Sequence, residues 1–75
     1  MTHQERIAKN CIRQAQAILG AGWDHVSKDI QWGLVSANVL ALFDQQDDEV
    51  SPERIVAHTR GVLKAARTIF EEGAW

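Results

Sequence analysis

From Val26 to Phe43 the chain reads as a helix that is apolar on two opposite sides. A helix turns about 100° per residue, so Val26, Ile30, Leu34, Ala37 and Ala41 point one way and Trp32, Val35, Val39, Leu42 and Phe43 nearly the other. Two narrow polar seams divide them. One is Ser27, Gln31, Asn38 and Gln45, the other Asp29 and Ser36. A helix that is apolar nearly all round is expected to be buried nearly all round. Whatever else this chain does, it must cover both flanks of that segment.

Two further helices flank it. Ile7, Ala8, Cys11, Ile12, Ala15, Ile18 and Leu19 fall on one face of a helix over about 3–19, with Arg6, Lys9, Arg13 and Gln16 behind. Glu5 precedes Lys9 by four residues, the favourable order for a surface pair. Gly20 and Gly22 are stop signals. Asp24 is the expected cap of the central helix, over about 24–45. Ser51, Pro52 and Glu53 give the third helix, over about 52–72, a well-marked start, and Gly73 an end. Its core face is Ile55, Val56, Thr59, Val62, Leu63, Ala66, Ile69 and Phe70. No stretch alternates as a strand does. The reading is a single all-α domain spanning 1–75, a three-helix antiparallel bundle or sandwich with short connections.

Size makes the cover a problem. A chain this short buries only about 60% of its unfolded surface, and its one cysteine excludes an internal disulfide. In a closed bundle both neighbours of a helix lie on the same side of it, so an apolar arc of about half the circumference suffices. Two opposed faces suit a sandwich or a self-association surface better. The expectation is therefore a homodimer through helix 2, a twofold assembly being the commonest kind. The residues assigned to the interface are Trp32, Val35, Val39, Leu42 and Phe43, with Gly61 of helix 3 contributing. Tryptophan favours the energetic centres of interfaces, although Trp32 would serve equally well in a core. Small residues at Gly33, Ala37 and Ala41, and at Ala57, Gly61, Ala65 and Thr68, permit close helix approach. A glycine inside a helix costs about 1 kcal/mol relative to alanine, so Gly33 and Gly61 call for a local reason.

Chemistry is sparse. His3, His25 and His58 sit in different elements without a Glu-x-x-His or His-x-x-x-His spacing, and Asp47, Asp48 and Glu49 lack a calcium-loop pattern, so no metal or other cofactor is expected. Cys11 lies mid-face on helix 1, where a thiol packs as a small hydrophobe rather than acting as a nucleophile. There is no phosphate loop, serine elbow or triad pattern, and the expectation is a non-catalytic protein-interaction module.

Charge suggests two further surfaces. Five of the ten acids lie between Asp44 and Glu53, and Asp47, Asp48 and Glu49 form a candidate secondary docking site for a basic partner. Seven of the eight basic residues lie on helices 1 and 3. Arg60, Lys64 and Arg67 make a stripe that supports the alternative of a small nucleic-acid-associated regulator. That stripe lacks the polar and aromatic interleaving that reads or stacks on bases, which makes nucleic acid the less favoured partner. A net charge of −2 gives no bulk pull toward polyanions or membranes. The lone thiol, the polar N-terminus and the shortness of the uncharged run Ile30 to Phe43 point to a cytoplasmic protein without a membrane span. Trp23 and Trp75 should emerge at one bundle end and pack together, or line a small apolar pocket.

Overall fold

Thr2 starts the first helix by a reciprocal cap. Its extended backbone (φ −75°, ψ 163°) lets its hydroxyl accept from the Glu5 amide at 3.1 Å, while the Glu5 carboxylate accepts from the Thr2 amide at 3.4 Å. Glu5 is thus turned back on the helix end, and the expected Glu5–Lys9 pair is not among the ion pairs of the described residues. Satisfying two free amides outweighs an exposed pair worth about 0.3–0.5 kcal/mol. Helix α1 runs His3–Leu19 and closes at Gly20, whose φ of +55° is costly for any side-chain-bearing residue.

The computed structural model describes residues 2–44, 51–73 and 75. A 3-10 turn over Gly20–His25 follows α1, then α2 over Lys28–Asp44 and α3 over Pro52–Glu72. The start of α2 differs from expectation. Asp24 stays within the turn, Val26 is extended (φ −107°, ψ 157°), and Ser27 caps, its hydroxyl accepting from the Ile30 amide at 3.3 Å. Serine caps as well as aspartate does, and the turn that carries Trp23 inward uses up the residues before it. The expected end of that helix at Gln45 or Gln46 lies outside the described residues. Ser51 caps α3 through the Arg54 amide, and Gly73, at φ +68°, closes it.

Each helix packs on both others, which makes a closed trio rather than a sandwich with α2 in the middle. The direction is up, down, up. His3 and Phe43 both meet His58 at one end, and Trp23 meets Phe70 and Trp75 at the other. The core is Ala8, Cys11, Ile12 and Ala15 of α1, Val35, Val39 and Phe43 of α2, and Val62, Ala66, Ile69 and Phe70 of α3, closed by Trp23. Ile18 and Val56, expected in the core, are 65% and 50% exposed because each sits at the edge of its helix's apolar arc.

The polar seam of α2 faces inward. Gln31 Nε2 donates to the Trp23 carbonyl at 2.6 Å, and Asn38 Nδ2 donates to the Cys11 carbonyl at 3.3 Å. Both amides tie α2 to the chain before it and fix which way the helix is rolled.

Candidate interaction surface

That roll reassigns the two faces of α2. Val35, Val39 and Phe43, expected at an interface, are buried within the single chain and present nothing to a partner. Trp32 is half-buried in the α2–α3 seam, its ring 5.8 Å from Phe70 and 5.0 Å from the Arg67 guanidinium above it. Leu42 alone of that set remains open, at 43% exposure. Gly61 has the end of the Gln4 side chain of α1 lying across it, so a Cβ there would have to push that flexible amide aside. The physical cause of the correction is that helical periodicity finds apolar faces without ranking them. Cross-helix hydrogen bonds and β-branched packing rank them here.

The opposite face is the open one. Ile30 and Leu40 are 56% and 52% exposed, and Gly33, Ala37 and Ala41 beside them are exposed as well. From Ile30 to Phe43 the sequence carries no charge. Nothing lies within 4 Å of where a Gly33 Cβ would stand, so the glycine opens a notch in that face. Beside it, Leu40, Phe43, Ile55, Val56, Thr59 and Arg60 line an apolar groove of about 340 Å³ between α2 and α3. Covering the exposed half of an isoleucine or leucine is worth about 1 kcal/mol, and this chain leaves that half of both in water.

The basic stripe is partly engaged. Arg67 Nε meets Glu71 at 2.8 Å while its guanidinium lies on Trp32. Arg60 rims the apolar groove and Lys64 lies on the other flank of α3, beside Gln4 and Gly61. Arg6, Lys9 and Arg13 form a second basic surface on α1 around Asn10. Asp47, Asp48 and Glu49 lie outside the described residues.

Several placements carry chemistry that helical pattern alone does not reveal. His58 stands edge-on to Phe43 at 5.0 Å and stacks with His3 at 6.4 Å. The signal was available in the topology, since α1 and α3 run parallel and both histidines lie in their first halves. Among the described residues no three His, Cys, Asp or Glu side chains gather as metal ligands do. Cys11 is buried in the core, and desolvation pushes its thiol above the ordinary value. Trp23 and Trp75 do meet, edge-to-face at 6.1 Å, and Phe70 completes the cluster at 6.3 and 5.5 Å. The rings fill one another's space, which is the offset and edge geometry aromatic groups prefer.

No helix among the described residues is long and apolar enough to cross a membrane. Comparison with protein-family models, with curated proteins and with solved structures returns no match.

Proposed function

We propose that this chain is a non-catalytic helical interaction module that self-associates through the outward face of α2. One observation carries the reading: Ile30, Gly33, Ala37, Leu40 and Ala41 form an uncharged, exposed apolar strip along a helix whose other face already fills the core. Scattered exposed hydrophobic residues are ordinary on any protein, but a contiguous strip next to an apolar groove is the usual mark of a protein-contact surface. A small chain also gains most from such cover, because its own core is limited. The nucleic-acid alternative draws less support, since Arg67 is held by Glu71 and Trp32 rather than free for phosphate. An acidic docking site at Asp47, Asp48 and Glu49 remains a secondary proposal resting on sequence.

Light scattering over a dilution series tests the reading. The expected mass is twice the 8.4 kDa of one chain, falling to one chain for Leu40→Asp with its helical circular dichroism unchanged. A single-chain mass for the unaltered protein at every concentration overturns self-association.

A further inference from the structure

We infer that the second copy docks antiparallel, its α2 crossing this α2 at Ala37 about a twofold axis perpendicular to both helices. This rests on the self-association reading and adds the register, the orientation and the ion pairs at the rim.

Shape supplies the first argument. Ala37 lies midway between two small residues of the exposed strip, four positions from both Gly33 and Ala41. An antiparallel twofold there sets Gly33 level with the partner's Ala41, and Leu40 beside the partner's Gly33, one residue off level. Leu40 then meets a small residue, and the contact repeats on the other side of the axis. Leu40 enters the notch that the absent Gly33 Cβ leaves open. A parallel pair would set Leu40 against its own copy and Gly33 against its own, crowding one level and leaving a void at the other. Close-packed interfaces avoid both.

Charge supplies the second. Asp29, Gly33 and Leu40 lie on the α3 side of the outward face by their 100° spacing. An axis perpendicular to the helices keeps the two α3 sides together. Asp29, exposed at the start of α2, is thereby brought toward the partner's Arg60, which rims the groove beside Leu40 and Val56. Arg60 has no ion pair among the described residues. The parallel alternative sends the two α3 sides to opposite flanks, where Asp29 and the partner's Arg60 do not meet, and aligns the two helix dipoles unfavourably.

Disulfide trapping distinguishes the outcomes, because the natural thiol, Cys11, is buried and gives no link in the folded protein. Ala37→Cys should cross-link to itself. Gly33→Cys alone should not, while an equimolar mixture of Gly33→Cys and Ala41→Cys chains should yield the mixed dimer. Failure of Ala37→Cys to link overturns self-association through this face. Self-linking of Gly33→Cys, with Ala37→Cys also linking, overturns the antiparallel arrangement and leaves self-association standing. As an independent check, Asp29→Arg should weaken dimerisation by about fivefold at low salt, the scale of two exposed ion pairs, and adding Arg60→Asp to it should restore the affinity. No recovery in the double variant overturns the assigned pairing.

Discussion

The inward and outward faces of α2 are nearly equal in apolar content and opposite in what surrounds them. Gln31, Val35, Val39 and Phe43 look into the trio, where α1, α3 and the Trp23 turn leave them buried. Ile30, Gly33, Ala37, Leu40 and Ala41 look out, with Leu40 at the edge of the groove against α3. Side-chain hydropathy does not separate the two. Shape and hydrogen bonding do: the inward face carries β-branched valines that pack stiffly, and an amide that reaches the Trp23 carbonyl, while the outward face carries small residues that fill little space. A core needs volume and satisfied polar groups, whereas a helix-contact surface needs a flat or notched backbone.

The sharpest way to break this contrast is to place the same charge at neighbouring positions. Val39 is fully buried and Leu40 is half in water. Val39→Asp strands a carboxylate in the core with no partner, which costs about 4 kcal/mol or more and should abolish a cooperative thermal transition in a domain of this size. Leu40→Asp should keep that transition. Loss of folding in both, or in neither, would show that the two faces are not as different as their burial suggests. Thermal circular dichroism at low protein concentration is the measurement, so that dissociation does not mix with unfolding.

A smaller effect tests the roll of the helix. In Gln31→Leu the apolar content of the inward face rises, yet the Trp23 carbonyl loses the donor it meets at 2.6 Å. An unsatisfied buried carbonyl costs about 1–3 kcal/mol, so the variant should be less stable in urea by about that amount despite being more hydrophobic. Increased stability would mean that the amide is incidental and that apolar packing alone sets the orientation of α2.

How far the sequence could be read follows from the same contrast. Caps at Ser51 and Gly73, the stop at Gly20 and the face of α1 around Cys11 are set by interactions within a few residues, and local pattern exposes them. That α2 is apolar on two sides was legible too, since it depends only on 100° spacing. Which side the chain covers for itself was not. That choice depends on Gln31 and Asn38 reaching carbonyls eight and twenty-seven residues away, at Trp23 and Cys11. The late start of α2 was missed for a related reason: Asp24 and Ser27 are equal as caps, and the inward pull on Trp23 decides between them. Gly61 shows the converse. Small size alone suggests room for a partner, and in the folded chain the end of the Gln4 side chain lies across that room.

Gly33 separates the two roles of the outward face most finely, because one substitution should move folding and association in opposite directions. It sits inside α2 at ordinary helical angles, and an added Cβ meets nothing within 4 Å in the single chain. Gly33→Ala should therefore stabilise the folded monomer by about 1 kcal/mol, through the higher helix propensity of alanine and the smaller freedom of its unfolded chain. If the partner's Leu40 occupies the notch, the same methyl group narrows it and weakens the dimer. Urea unfolding at high dilution should shift to higher midpoint, while the dissociation constant from sedimentation should rise. A gain in stability with unchanged or tighter association would mean that the notch holds nothing, and that the glycine is tolerated in α2 without serving the contact.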